Sequence, residues 1–298
     1  MAWCRVPLSR PGSRSIWPPD LVSGGTFYVV ATPLGHLGDL STRVIEVLRS
    51  AALVAAEDTR RTRALLSHLD AHPRLLAYHA HDTKGTGAIL SALEGGKAVA
   101  LVTDAGTPGV SDPGVELVDR VRRAGFRVVP LPGPSAVATA LSAAGLPADR
   151  YVFYGFLPRK GSERARLLAR AGEEEWTMVF FESPERIASL LDDLAQRCGP
   201  DRRAVVAREM TKLHEEFQGE TLGQLATTFG GEESVKGEVT LVVEGRGEGE
   251  EKADPGMVEA AAARLLEAGL ERRDVSRLLM ELFGASRNEA YKAVNRDR

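Results

Sequence analysis

The sequence predicts an α/β protein of two α/β domains followed by a small helical tail. Three observations predict it. Short runs of β-branched and small apolar residues alternate with segments whose apolar residues recur at i, i+3, i+4 and i+7. Gly- and Pro-rich loops follow several of those runs directly, as ligand loops do at the carboxyl ends of parallel strands. The chain has 298 residues, enough for two domains and an appendage. The expected division is a disordered leader over 1–25, an N-terminal α/β domain over 26–132, a C-terminal α/β domain over 133–246, a linker over 247–255 and a helix-turn-helix-like tail over 256–298.

The leader carries Arg5, Arg10 and Arg14 among prolines and lacks the apolar stretch of a secretory signal. Thr26–Ala31 reads as a buried strand, followed by the loop Thr32–Asp39. Val44, Val47, Leu48 and Ala51 then mark one face of a helix. Leu53–Ala56 is a second strand, ending in Glu57-Asp58-Thr59-Arg60, and Thr62, Leu65, Leu66 and Leu69 mark the next helix. Lys97–Thr103 is a strand that runs into the loop Asp104–Gly114. Asp112-Pro113 reads as a helix start, a capping side chain followed by Pro at the first helical position. That helix carries Val115, Val118 and Val121 and stops at Gly125. Phe126–Leu131 is a strand, and Pro132-Gly133-Pro134-Ser135 leads into a helix that ends at Gly145. Such alternation predicts a parallel sheet covered on both faces.

Tyr151–Phe156 reads as a strand and Ser162–Ala171 as a helix. Thr177–Phe181 is a strand ending in Glu182-Ser183-Pro184, and Ser183 with Pro184 should cap a helix bearing Ile187, Leu190, Leu191 and Leu194. Arg203–Ala207 is a strand ending in Arg208-Glu209. Thr221 and Gln224 form a capping-box pattern. Gly237–Glu244 is the last strand, before a Gly- and Glu-rich linker. In the tail, Asp274 should start one helix, closed by Gly284, and Ser286 with Glu289 should start another.

Apolar residues make up 43% of the chain, which supplies real cores. The net charge of −3 gives no global field for nucleic acid, so RNA contact would need local basic patches. Cys4 and Cys198 have no metal-ligand or disulfide spacing and fit a reducing cytoplasm. No apolar run is long enough for a membrane span. His79 and His81 would share one side of a strand, but no third ligand accompanies them, so no metal is expected.

The loops exclude some chemistries. GxGxxG after the first strand and GxxxxGK[ST] are both missing, and none of the loops carries a Lys to meet a phosphate. That argues against an NTPase and a dinucleotide-dependent dehydrogenase. The loops instead combine the acids Asp39, Asp104 and Asp112, the hydroxyls Thr107, Ser111 and Ser135, and small apolar residues. These suit a neutral or cationic ligand bearing amines and a ribose.

ATPLGHLGD, AAEDTR, VTDAGTPGVSDPG, PLPGPSAVATALSAAGLP, YGFLPRK, FFESPER, ARE-TK and KGEVTLVVEG occur in this order over residues 26–246. Together they resemble the tetrapyrrole-methylase superfamily, in its ribosomal RNA small subunit methyltransferase I branch. His36 stands where that branch usually has Asn. The resemblance implies S-adenosylmethionine as methyl donor, bound in a cleft between two α/β domains of a homodimer. It implies a cytidine ribose 2′-hydroxyl in the decoding region of small-subunit rRNA, free or in the 30S subunit, as acceptor. Matching motifs place the donor at Pro33, Leu34, Asp104, Gly106, Thr107, Ser135 and Ala136, and at backbone near Phe181, Ala207 and Gly237.

A ribose hydroxyl is a weak nucleophile whose proton must be drawn off during attack. Asp58, Glu182 and Glu209 are the candidate bases, with Glu57 nearby. Arg60, Arg61, Arg159, Lys160, Arg208 and Lys212 are the candidate RNA contacts; Arg164, Arg166 and Arg170 extend the second group. Two rival readings are a methyltransferase acting on a corrinoid or tetrapyrrole, and a nucleic-acid-binding regulator using the tail. Basic and acidic residues balance in the tail, which disfavours DNA binding by that element alone.

Overall fold

The structure, a computed structural model, describes residues 25–79, 82–231, 236–247, 255–285 and 287–295. Of the expected leader over 1–25, residues 1–24 lie outside the described residues, as do Cys4, His81, most of the linker and the Ser286 cap; Gly25 is described, is buried, and donates to Leu93 O at 2.7 Å.

The first sheet is built as the alternation requires. β1 (Thr26–Val30), β2 (Leu53–Ala56), β3 (Arg74–Ala77), β4 (Val99–Val102) and β5 (Arg127–Leu131) lie in the order β3-β2-β4-β1-β5, all parallel. Each strand's alternating side chains feed two cores. Ala100 and Val102 face one core, with Val44 and Leu48 of α1 (Thr42–Ser50) and Leu66 of α2 (Thr59–His68). Val99 and Leu101 face the other, with Ile89 and Leu93 of α3 (Thr83–Glu94) and Leu117 and Val121 of α4 (Val115–Arg123). Helices on both faces explain why β2 and β4 are continuous apolar runs. The connection from β1 passes over β4, and the one from β4 passes over β1, on opposite faces. Neighbouring strands whose connections diverge in this way leave a crevice at their carboxyl ends.

Helix α4 does not start at Asp112-Pro113. Its N-cap is Gly114, at φ 136°, with no side-chain cap. A Cβ there would lie 2.9 Å from Leu101 Cδ2, so the close approach of helix start to strand and the positive φ both require glycine. The buried stripe consequently runs through Leu117 and Val121, and Val115 is exposed. His79 falls beyond the end of β3 rather than within a strand.

Helix α5 (Ala136–Ala144) precedes the second sheet. β6 (Tyr151–Phe156), β7 (Thr177–Glu182), β8 (Arg203–Arg208), β9 (Glu216–Thr221) and β10 (Val239–Val243) lie in the order β6-β7-β10-β8-β9. Only β6 and β7 are parallel; the other pairs are antiparallel. The core of this unit packs α6 (Ser162–Glu173), α7 (Ile187–Cys198) and α8 (Leu222–Gly231) against the sheet through Leu168, Leu190, Leu191, Leu194, Leu225 and Phe229. α7 has Arg186 at its N-cap position, so Ser183-Pro184 form the preceding turn rather than the cap. The capping box before α8 is present: Thr221 N donates to Gln224 Oε1 at 3.1 Å, and Gln224 N donates to Thr221 Oγ1 at 3.4 Å.

The tail is three helices, α9 (Pro255–Glu267), α10 (Arg272–Phe283) and α11 (Arg287–Val294), around Val258, Ala262, Val275, Leu279, Ala290 and Val294. α10 begins two residues before Asp274, with Glu271 at the N-cap, and closes on Gly284 at φ 62°. Among the described residues no helix is long and apolar enough to cross a membrane, and no cluster of three or more His, Cys, Asp or Glu could hold a metal.

By compactness the chain forms two units. One runs to Thr139 and takes in Met210–Leu213; the other comprises Ala140–Glu209 and the chain from His214 onward.

Candidate functional site

In the first unit, the loops after β1, β2, β4 and β5 meet at the carboxyl edge of the sheet. Two of them are laced together. Thr32 N donates to Gly106 O at 2.9 Å, Gly106 N donates back to Thr32 O at 3.0 Å, and Thr32 Oγ1 donates to Thr103 O at 3.0 Å. Gly106 holds φ 82°, and Leu34 Cδ2 would lie 3.5 Å from a Cβ there. Thr107 Oγ1 donates to Pro134 O at 3.0 Å, tying the loop after β4 to the one that carries Ser135 and Ala136. Pro33, Leu34, Asp104, Gly106, Thr107, Ser135 and Ala136 are thus brought to one sheet edge.

A cavity of about 310 Å³ opens at this edge, lined by Pro33, Leu37 and Leu65 on its apolar side and by Thr103, Asp104 and Arg61 on its polar side. Asp104 is held from two directions. Its Oδ1 accepts from Asp58 N at 3.1 Å, and its Oδ2 lies 3.6 Å from Arg61. Asp58 caps α2, accepting Arg60 N at 2.8 Å, and its Oδ2 pairs with the Arg60 guanidinium at 2.9 Å. The Arg60 side chain and backbone N–H hold the Asp58 carboxyl down at about 2, and the same pair raises the Arg60 guanidinium.

The second unit has its own edge. Phe181, Thr240 and Ala207 lie side by side on β7, β10 and β8. The next row is Glu182, Val239 and Arg208. Beyond it, Glu209 N donates to Glu238 O at 3.0 Å, and Glu238 N donates to Glu209 Oε1 at 2.9 Å. A Cβ on Gly237 would lie 2.4 Å from Glu209 Cγ, so glycine there makes room for the carboxylate arm. Phe181, Ala207, Gly237, Glu182 and Glu209 are therefore gathered at one end of the second sheet.

The ionic partners decide which of these groups are available. Glu182 is buried, accepts from Ser183 N at 2.8 Å, and lies 3.0 Å from Arg186. The i,i+4 spacing in Glu182-Ser183-Pro184-Glu185-Arg186 carries that pairing in the sequence, although Arg186 was not singled out there. Arg208 pairs with Glu216, its cross-strand partner on β9, and this contact with Gln218 lowers the Glu216 carboxyl. Arg164 is turned away from a basic patch: it pairs with Asp193 and donates to Pro158 O at 3.1 Å. Arg159 and Lys160 are exposed. Lys212 lies in the four-residue segment that belongs to the first unit. Its Cγ would be 2.2 Å from a Cβ on Gly35, and the adjacent Thr211 Oγ1 accepts from His36 N at 3.2 Å.

The first edge suits a ligand carrying a cation. Its cavity reaches the low end of the range for small-molecule sites, has apolar walls, and presents the Asp104 carboxylate with Arg61 3.6 Å from it. The absence of a phosphate-type basic loop fits S-adenosylmethionine better than a nucleotide polyphosphate.

Comparison with known proteins bears on the reading. The family model of tetrapyrrole (corrin/porphyrin) methylases matches residues 26–226. The chain is 43% identical over 272 residues to the ribosomal RNA small subunit methyltransferase I of Escherichia coli O157:H7, covering 91% of this chain and 94% of that protein. It is 43% identical over 273 residues to the protein of the same name in Xylella fastidiosa, covering 90% and 98%. Among solved structures, a uroporphyrin-III-C-methyltransferase from Thermus thermophilus aligns with TM-score 0.53 at 21% identity, over 73% of this chain and 94% of that one. A cobalt precorrin-4 methyltransferase aligns with TM-score 0.57 at 18% identity, over 76% and 98%. At those identities the structures speak to fold alone.

Proposed function

This chain belongs to the tetrapyrrole (corrin/porphyrin) methylase family, among its ribosomal RNA small subunit methyltransferase I members, and we propose that it methylates the 2′-hydroxyl of a cytidine ribose in the decoding region of small-subunit rRNA, with S-adenosylmethionine as donor. The observation that carries the reading is the similarity to proteins of that name over about nine-tenths of the chain, together with the laced loop edge around Asp104. The extent and degree of that similarity favour an rRNA acceptor over a corrinoid acceptor or a purely regulatory role. A homodimer and a cytoplasmic location belong to the same proposal; sedimentation of the full chain tests the first.

When bound, the donor supplies a methyl group activated on a cationic sulfur. Pro33, Leu34, Asp104, Gly106, Thr107, Ser135 and Ala136 would hold it at the first edge. Positioning contributes much of the rate in such a displacement. Arg61 lines the cavity and the exposed Arg60 precedes it on α2; both would meet RNA phosphate, with Arg159, Lys160 and Lys212 as further contacts. Arg208 is committed to Glu216 and would act by fixing β8 to β9.

Of the three candidate bases, Asp58 is a helix cap paired with Arg60, and a carboxylate held near 2 takes up a proton poorly at neutral pH. Glu182 is buried against Arg186. Glu209, half-buried just beyond β8 with its Oε1 accepting from Glu238 N at 2.9 Å, is the candidate we propose to draw the proton from the ribose hydroxyl at its carboxylate. Incubation with labelled donor and undermethylated 30S subunits should place label in the rRNA. Glu209→Gln should slow transfer by about 10²- to 10⁴-fold with donor affinity kept. Label absent from rRNA with active protein defeats the functional reading. Near-normal rates in Glu209→Gln, Glu182→Gln and Asp58→Asn alike defeat the carboxylate base.

A further inference from the structure

We propose that Phe156 is a stacking platform for an unpaired RNA base, flanked by Arg159 and Lys160 as phosphate contacts. The inference rests on the rRNA reading and names the part of the surface that would grip the strand.

Phe156 ends β6, an edge strand, and 56% of its surface is exposed. A phenylalanine at the end of an edge strand could lie flat over its neighbours, but this one is propped. Its ring stands edge-on to Phe181, 5.6 Å between centroids, and Phe181 in turn stands edge-on to Phe153 at 4.9 Å. Those separations fall within the favourable range for T-shaped pairs, so the ring is oriented while much of it stays in water. The exposure has a cost in apolar hydration that stacking on a base would recover.

The ring's position matters as much as its exposure. Phe156 pairs in register with Phe181, next to Glu182, and so belongs to the sheet end that gathers Ala207, Glu209 and Gly237. The chain then turns through Leu157 and Pro158. Leu157 is buried and its carbonyl is held by Arg186 at 2.9 Å, which fixes the start of the loop. Arg159 and Lys160 follow, both exposed, within four residues of the ring. Glu163 stands in the first turn of α6 beyond them, leaving the pair a net positive end.

An exposed aromatic face beside cations is how proteins hold single-stranded RNA: the ring stacks on a base and the cations meet the backbone. The adjacent charge favours RNA over a second copy of this chain, whose apolar face would have to bury both cations.

The test compares the full-length protein with Phe156→Leu, Phe156→Trp and the pair Arg159→Ala/Lys160→Ala, using undermethylated 30S subunits. Phe156→Leu keeps apolar bulk without a ring face and should weaken binding by about fivefold or more at every salt concentration. Phe156→Trp should restore it. Arg159→Ala/Lys160→Ala should instead flatten the salt dependence of binding. Donor affinity and sedimentation should stay unchanged in all three. Unchanged 30S affinity in Phe156→Leu overturns the proposal, as does a loss of self-association in that variant with RNA binding intact. Label transfer to rRNA by the unmodified protein separates these outcomes from failure of the methyltransferase reading itself.

Discussion

At the residue scale, Asp58 shows how partners rather than position settle a side chain's role. It sits in an acidic loop after a strand, where a catalytic carboxylate would be expected, yet its oxygens are engaged by Arg60. Its carboxyl is lowered from 3.8 to about 2 in the folded chain. A group lowered on folding contributes stability that is complete above its unfolded value and is lost as pH falls through the folded one. The cap should therefore hold α2 fully above about pH 4 and release it as pH approaches 2. Hydrogen exchange of the α2 amides across pH 2–5 should show that loss, and Asp58→Asn should flatten it. The loop acids themselves were legible in the sequence. Which of them is consumed by a neighbouring guanidinium was not, because it depends on side-chain reach across the helix start. Gly237 is a similar case: the sequence marks it only as a glycine before a strand, and its meaning comes from the Glu209 arm beside it.

At the scale of elements, the strands legible in the sequence are those with apolar or aromatic runs, the most continuous of which are buried. LVAA and VALV are apolar throughout, and VTLVV interrupts its apolar run only with the buried Thr240, because helices or neighbouring strands cover them. β9 reads EFQGET and carries no strand signal in the sequence: an edge strand partly open to water needs no apolar run, and it pairs with β8 in register, with the Arg208–Glu216 contact across the pair. Asp112-Pro113 carries the local signal for a cap, whereas α4 starts after Gly114, whose positive φ and close approach to Leu101 are not readable from that signal. The Thr221–Gln224 box, by contrast, is purely local chemistry and was readable. Thr221→Ala should cost about 1 kcal/mol, measured by denaturant unfolding of the full chain. No loss of stability would mean that the box contributes nothing to α8.

At the scale of the whole molecule, the two sheets follow different rules, one wholly parallel and one largely antiparallel, and the alternation in the sequence predicts the first and is silent on the strand directions of the second. The tail has its own small core. Removing residues 253–298 should leave donor binding intact and weaken binding to 30S subunits, as read by equilibrium dialysis and filter binding respectively. RNA binding that survives the deletion unchanged would remove the tail from the docking surface.

The excursion of Met210–Leu213 carries a consequence for biosynthesis. All five strands of the first sheet emerge from the ribosome by residue 131, but a piece of the same unit arrives only about 70 residues after Thr139. At ordinary elongation rates that is a wait of roughly 4 to 15 seconds. Through that interval the loop around Gly35 and His36 lacks the Thr211 and Lys212 contacts that later cover it. The nascent protein should therefore acquire its first sheet well before that loop is finished, so a ribosome stalled between those points would carry a folded sheet with an incomplete loop edge.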